Sequence, residues 1–519
     1  MKAISRKLLA KRKRRIERRL RKMQWADQPG PMLSGSNIHY EVADKTRAVG
    51  CGGIGAMHLL AQRIGLVEAI NHDLHLLKVH LPYHESDHVL NIAYNLLAGG
   101  TRLEDLELRR TDEGYLDGLG AQRTPDPTTA GDFCRRFSEP TITQLMETIN
   151  RVRLGVWKQQ PKEFFKQAII DADGTLAPTY GQCKEGMDIS YKGQWGYHPL
   201  LISLANTGEP LYLVNRSGNR PSHEGAGEWL DRAIALCRRG GFQSILLRGD
   251  TDFTQTGKLD GWDEQGVGFI FGIDAMPSLV AKANDLPESA FKPLVRKAKY
   301  EVQTEPRARP ENVKERIVRE RQFENIRLQS EQVAEVGYRP TKCRKTYRLI
   351  VLRKNLTMEK GEQALFDDVK YFFYLSNQND LWPQGVVGQA NRRCNQENLI
   401  EQLKNGARAM DMPVDNLLSN WAYMVMASLA WTLKAWFALT LPTTGRWAEK
   451  YQEQKESLLK MEFKGFLNAL MRLPCQVVRT GHRIVYRLLS WNPWLEVLLR
   501  GVDTLRERVV GVVHYPLRC

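Results

Sequence analysis

The spacing of hydrophobic positions changes along this 519-residue chain, and the changes divide it into regions. Over residues 55–150 apolar side chains recur at helical spacing: Met57, Leu59 and Leu60, then Val89, Leu90, Ile92 and Ala93, then Leu103, Leu106 and Leu108. Gly99-Gly100 and the turn between Pro125 and Pro127 separate these segments, which predicts several short helices. Pro127-Thr128-Thr129 ahead of Asp132-Phe133 reads as a capped helix start. From about residue 163 the texture becomes that of strands. Residues 164–173 form a short apolar run ending in alternating acids, and residues 199–205 and 210–214 form two more, joined by the hairpin signal Asn206-Thr207-Gly208-Glu209. Helical spacing returns with Leu230, Ala233, Ile234 and Cys237, and Ser244-Ile245-Leu246-Leu247 is a buried-strand run. The order strand, strand, strand, helix, strand predicts an α/β domain in which a three-strand antiparallel unit is extended by parallel strands.

Residues 276–380 are charged and irregular, with strand-like patches at 347–352 and 371–375, and read as a β-rich insertion. Helices are expected at about 391–404 and 416–439. Residues 416–433 carry no charge and pass a crude membrane filter, but Asn416, Ser419 and Asn420 and the closing Lys434 favour a buried core helix. The expected layout is a basic arm and linker (1–35), a helical DNA-binding region (36–160) and the first part of the α/β core (161–275). The β-rich insertion (276–385), the rest of the core (386–445) and a C-terminal helical region (446–519) follow. That the chain holds several domains agrees with its length.

Charge narrows the partners. Lys plus Arg exceed Asp plus Glu by 75 to 59, a net +16 with a pI near 9.4, which suits a polyanion. The excess is concentrated at the start, where Lys2, Arg6, Lys7, Lys11, Arg12, Lys13, Arg14, Arg15, Arg18, Arg19, Arg21 and Lys22 are opposed only by Glu17. Such a block neutralises phosphates and carries no base-reading side chains; we assign DNA contacts to Lys11, Arg12, Arg14, Arg15, Arg18 and Arg19. No apolar stretch follows, so the segment is not read as a secretory signal. The eight cysteines (51, 134, 183, 237, 343, 394, 475 and 519) form no Cys-x-x-Cys pair and read as reduced thiols of a cytoplasmic protein.

The candidate chemistry lies in acids at element ends. Asp173 closes the first strand run, and Asp171 shares its face because strand side chains alternate. A lone acid in such a place commonly caps a turn. A second changes the picture: Asp250 directly follows Leu246-Leu247-Arg248-Gly249, at the carboxyl end of a buried strand, where α/β sheets gather their sites. On the helix after the insertion, Arg393, Glu397 and Lys404 fall within roughly 40° of one another. Spacing alone would equally suit a solvated face with i,i+4 ion pairs. Three carboxylates suit hard divalent cations, and two such ions can drive an in-line displacement at phosphorus.

Arg393-x3-Glu397-x6-Lys404 matches part of the Tyr-x2-Arg-x3-Glu-x6-Lys signature of a superfamily of bacterial insertion-sequence DDE transposases, which this chain resembles. Ile170-Asp171-Ala172-Asp173-Gly174-Thr175 is similar to that superfamily's first-aspartate strand and Leu247-Arg248-Gly249-Asp250-Thr251-Asp252-Phe253 to its second. Glu85-Ser86-Asp87-His88-Val89-Leu90 and Leu97-Ala98-Gly99-Gly100-Thr101 resemble its amino-terminal region, so the likeness spans about residues 80–500. The resemblance implies a ribonuclease H-like (RNase H-like) catalytic core interrupted by a β-rich insertion. It also implies Asp173, Asp250 and Glu397 as catalytic metal ligands, two Mg²⁺ or Mn²⁺ ions, and Arg393 and Lys404 on DNA phosphates. The partners it implies are double-stranded DNA, at terminal inverted repeats and at a target, and a second copy in a homodimer; no membrane is involved. Ala390 stands where the signature has Tyr. Asp171 and Asp173 both remain candidates for the first ligand, the latter followed at Thr175 as the family's Asp-x-Thr pattern has it.

Two other features carry less. His72, His75, His80, His84 and His88 crowd one window, but no acid or Cys completes a metal set at helical spacing. Arg472, Arg479, His482, Arg483 and Arg487 among apolar residues read as a DNA-facing or solvated helix. A non-catalytic DNA-binding protein would account for the arm but not for three placed acids. A host nuclease of the same fold would share the acids and differ only in lacking a donor DNA with inverted ends.

Overall fold

In the computed structural model the apolar strand segments at 164–214 become the three strands at one edge of a nine-stranded mixed sheet. The structure describes residues 3–21, 37–40, 42, 44–80, 82–295, 312–361 and 363–507. Lys2, Lys22 and the linker expected at 27–35 lie outside the described residues. The long strands, in chain order, are β1 (Gln167–Gly174), β2 (Leu200–Leu204), β3 (Glu209–Val214), β4 (Ser244–Gly249) and β5 (Val267–Ile273). After them come β6 (Glu324–Tyr338), β7 (Tyr347–Lys360) and β8 (Gln363–Ser376). Across the sheet the order is the short strand Lys292–Pro293, then β6, β7, β8, β5, β4, β1, β2, β3. β4 runs parallel to β1 and β5 parallel to β4, while β2 and β3 are antiparallel. The turn between β2 and β3 places Gly208 at φ +66°, a conformation Gly adopts without a Cβ penalty.

The insertion is β-rich, but it is not a detached sheet. Its ribbon β6–β7–β8 joins the core edge by antiparallel pairing of β8 with β5, from Phe373↔Ile273 to Ser376↔Ile270. β5 is buried along its whole length, and a continuous apolar run with no alternation suits a strand covered on both faces.

The helices are α1 (Ala3–Arg21), α2 (Glu85–Leu97), α3 (Glu139–Trp157), α4 (Ala226–Gly240), α5 (Pro383–Asn391), α6 (Cys394–Glu401) and α7 (Leu417–Thr440). α7 is the only described helix long and apolar enough to cross a membrane, and it is wholly buried inside the protein. It packs on α2, α3, the helix Pro127–Arg135 and β3. Its polar groups are matched: the Asn416 side chain accepts the Ser419 N–H at 2.9 Å, and Trp421 Nε1 donates to the Leu213 carbonyl at 2.5 Å. Trp436 Nε1 donates to Glu209 Oε1 at 2.8 Å. That Glu209 is fully buried and also accepts from Arg153 Nε (3.0 Å), Trp157 Nε1 (3.1 Å) and the Thr207 hydroxyl (2.6 Å), so one carboxylate joins α3, the β2–β3 hairpin and α7.

Two expectations need correction. The helix expected over 391–404 starts only at Cys394, as α6, separated at Arg392-Arg393 from the additional helix α5, and residues 402–406 widen into a π-helical turn. The C-terminal region is not wholly helical: Cys475–Thr480 and Arg483–Leu488 form a hairpin, and Ala48–Val49 pairs with its first strand. Arg479, Arg483 and Arg487 therefore lie on strands. Val477, Val478, Ile484 and Val485 are β-branched residues on either side of Gly481, and β-branching with a Gly turn favours a hairpin over a helix.

Candidate active site

Strand register brings the first two acids together. β1 and β4 are parallel with Asp171 opposite Arg248, so Asp173 and Asp250, each two residues further on, emerge side by side at the same end of the sheet. Gly249 makes the exit of Asp250 possible: a Cβ there would lie 2.6 Å from Cβ of Phe253 and 3.0 Å from the Phe271 ring. Asp250 then caps the turn Thr251–Phe253, its Oδ1 accepting the Asp252 N–H at 3.1 Å.

Asp171 and Asp173 have different partners. Asp171 is 1% exposed and receives both Nε (2.7 Å) and Nη2 (2.8 Å) of Arg248, whose Nη1 donates to the Gln389 carbonyl at 3.0 Å. Its oxygens are thus used in a buried bidentate pair that ties α5 to the sheet. Asp173, 9% exposed at the strand end, accepts from Arg393 Nη1 at 3.0 Å and from the Gly174 backbone N–H.

Arg393 is the group the acids share. Its Nη2 lies 3.8 Å from Glu397 Oε1, and the Glu397 side chain is 63% exposed. α6 is held over β2 by Gln396, which donates to the Leu201 carbonyl at 3.3 Å and accepts from the Ser203 hydroxyl. Burial pushes the Asp173 carboxyl up to about 6; Arg393 pulls against this and Asp250 adds to it. Asp250 is also raised, by burial first, with Arg393 opposing and Asp252 adding. Burial pulls the Arg393 guanidinium down, yet Asp173, Asp250, Glu397 and Asp171 together leave it raised. One cation therefore serves several carboxylates, an arrangement short of positive charge.

Lys404 does not join this cluster directly: its Nζ donates to the Leu176 carbonyl at 2.6 Å, next to the strand end. Glu401 accepts from Asn405 at 2.7 Å, away from the aspartates. The described part of the arm is a helix docked on the C-terminal segment. Arg12 Nη1 donates to the carbonyls of Leu488 and Ser490, both at 2.8 Å, and Lys13 lies over the Trp491 ring. Lys11, Arg14, Arg15, Arg18 and Arg19 remain exposed.

Residues 36–509 match the family described as transposase DDE domain, group 1. The chain belongs to that family. It is a transposase, an enzyme that cleaves DNA and transfers the cut strand, and DDE transposases use divalent metal ions. Among curated proteins, none matches it. A solved structure, the piggyBac transposase synaptic complex with hairpin DNA, is similar at 11% identity and a TM-score of 0.33, over 89% of this chain and 88% of that one.

The residues of the transposase fit the metal requirement by their chemistry. Asp173, Asp250 and Glu397 offer only oxygen donors, and the first two carry more negative charge than one guanidinium offsets, which favours a hard divalent cation. One neighbour has no motif to announce it. His198, buried just before β2, has its Nε2 beside Gly174 and its Nδ1 2.8 Å from the Arg220 carbonyl. Gly174 pairs with Leu200 across β1 and β2, so a residue immediately before β2 lies near the first-aspartate strand end, and that pairing is the only signal pointing to it.

Proposed function

We propose that this transposase serves a bacterial insertion sequence and that Asp173, Asp250 and Glu397 are its metal-binding carboxylates, on an RNase H-like core. The observation that carries this is the matched register of Asp173 and Asp250 on adjacent parallel strands, with Arg393 shared among the acids. The five strands at one side of the sheet, in the order β3, β2, β1, β4, β5 from its edge, support the RNase H-like reading. When bound, two Mg²⁺ or Mn²⁺ ions supply activation of the attacking oxygen and stabilisation of the leaving one.

The chain's own groups do the rest. Asp173 and Asp250 hold their oxygens fixed at the sheet end, Asp250 through its backbone cap. Arg393, relieved of its carboxylates, is positioned to hold a neighbouring phosphate, and Lys404 stands near the Leu176 carbonyl for the next one along. Tyr180, Tyr191 and Trp195, exposed on or beside the small sheet formed by 177–178, 188–189 and 195–197, offer stacking faces for bases of the DNA end. They take the role of the signature Tyr, because Ala390 at that position packs against the cluster around Val386 and Ile270.

Away from the acids, the exposed arginines of α1 and Arg483 and Arg487 of the hairpin form a composite basic surface that grips duplex backbone. The helical region, residues 36–160, contributes to that binding. The protein works as a homodimer on the element's inverted ends and on target DNA, in the bacterial cytoplasm. The test is a cleavage and joining assay on a labelled duplex bearing one element end: Glu397→Ala should neither nick nor join it. A Glu397→Ala protein that cuts at the wild-type rate removes Glu397 from the site.

A further inference from the structure

Among the described residues, one group of three metal-ligating side chains has its ligand atoms all within 4.8 Å of one another, and it is not at the acid edge: His80, His84 and Glu85. The acid that completes the set is adjacent to His84 in sequence, outside the four-residue spacing of a helical metal motif. Glu85, the first residue of α2, is 1% exposed. A carboxylate so buried needs its oxygens matched. Oε1 accepts the backbone N–H groups of Leu76 and Leu77, each at 3.0 Å, and Oε2 is turned toward Nε2 of His80 at 3.0 Å. The two amides hold the carboxylate rigidly, as hydrogen-bond partners hold the ligands of metal centres.

The two imidazoles are exposed and stack face to face, ring centroids 4.4 Å apart and planes 18° from parallel. We propose that His80, His84 and Glu85 bind one zinc ion, with water in the fourth position.

The donor set selects the ion. Two imidazole nitrogens and one carboxylate suit Zn²⁺, whereas Mg²⁺ wants oxygen ligands. Tetrahedral zinc with bonds of about 2.0–2.1 Å sets its ligand atoms about 3.3 Å apart. The pair His80 Nε2 and Glu85 Oε2 is already near that spacing, and the exposed His84 side chain can turn to complete it. Zinc there would pin the backbone at Leu76 and Leu77 and both histidines to the start of α2, which packs on α7. The two metal sites of the chain would then be sorted by ligand hardness.

The experiment uses full-length protein stripped with a chelator and titrated with Zn²⁺ against a chromophoric indicator, with thermal melts alongside. Wild type and Asp250→Ala should each take up one Zn²⁺ that excess Mg²⁺ does not displace. The double variant His80→Ala/His84→Ala should bind zinc at least about 100-fold more weakly, at or beyond the loss typical of removing an outer-shell partner. Zinc should raise the melting temperature of wild type and leave that of the double variant unmoved. Both substitutions are at exposed positions, and a far-ultraviolet circular dichroism spectrum matching wild type establishes that the variant is folded. The proposal is overturned if wild type binds zinc no better than the double variant, or if Asp250→Ala is the protein that loses the ion.

Discussion

Glu209 and the Asp173–Asp250 pair are both carboxylate sites close to an arginine, and they differ in how fully their charge is answered. Glu209 is sealed among Arg153, Trp157, Thr207 and Trp436, each donating to it. Asp173 and Asp250 share one arginine, and burial pushes both carboxyls up. Asp171 shows the contrast within two residues of Asp173: it holds Arg248 by two bonds and lies in the sheet, while Asp173 holds its arginine by one and lies at the sheet's end. Saturated acids knit elements together, and under-compensated acids are left able to bind a cation. That balance of charge separates structural acids from candidate catalytic ones.

The largest effect should come from the under-compensated pair. Asp250→Ala should lower strand cleavage at least about a thousandfold, roughly 4 kcal/mol of barrier, while urea unfolding of the metal-free protein is unchanged or shifted toward greater stability. Cleavage rates and unfolding curves on one preparation check both halves. A variant that loses stability in step with activity would place Asp250 among the structural acids.

Glu209→Ala should behave oppositely. It strands Arg153 in the core beside two indole N–H groups, and breaking a buried pair costs about 3–5 kcal/mol. The denaturant midpoint should fall accordingly, with cleavage per folded molecule near wild type. Equal loss of specific activity would break the contrast.

Asp173 sharpens it through pH. Its folded-state pKa, about 6, lies above the ordinary 3.8, so between those values the folded protein holds more protons than the unfolded chain. Stability of the metal-free protein should therefore fall as pH rises from about 4 to about 6, by roughly 2–3 kcal/mol, and Asp173→Asn should remove that slope. Calorimetry across the window in a chelating buffer reads it directly.

Much of the acid edge was legible because it rests on local pattern. The runs before Asp173 and Asp250 are short and apolar, and such runs deliver a residue to a strand end whatever the rest of the fold does. What was not legible depended on tertiary contacts. Nothing in Asn391-Arg392-Arg393-Cys394 breaks a helix by propensity; the break there coincides with the hold of Asp173 on Arg393, 220 positions away in sequence. Glu209 sits in a turn signal, and only the packing of α3 and α7 over the hairpin makes it a buried hub. β5 lacks alternation because both its faces are covered, and periodicity cannot distinguish such a run from a helix segment. The C-terminal hairpin differs from these, since its β-branched residues and the turn at Gly481 were signals within the sequence itself.

The same distinction holds on a smaller scale in the arm, where Arg12 and Arg14 are two positions apart. Arg12 is committed to the carbonyls of Leu488 and Ser490, whereas Arg14 is exposed. Arg14→Ala should weaken binding to every DNA sequence alike, and the slope of log affinity against log salt should shrink by about 0.9, the share of one phosphate contact. Arg12→Ala removes a positive charge too, but one already used to dock α1. Its effect should appear as faster proteolysis within α1, with a smaller change in salt slope than Arg14→Ala produces. Filter binding across a salt series, paired with limited proteolysis, separates the two. Identical salt slopes for both variants would show that Arg12 also reaches phosphate, and the line between saturated and available charge would not extend to the arm.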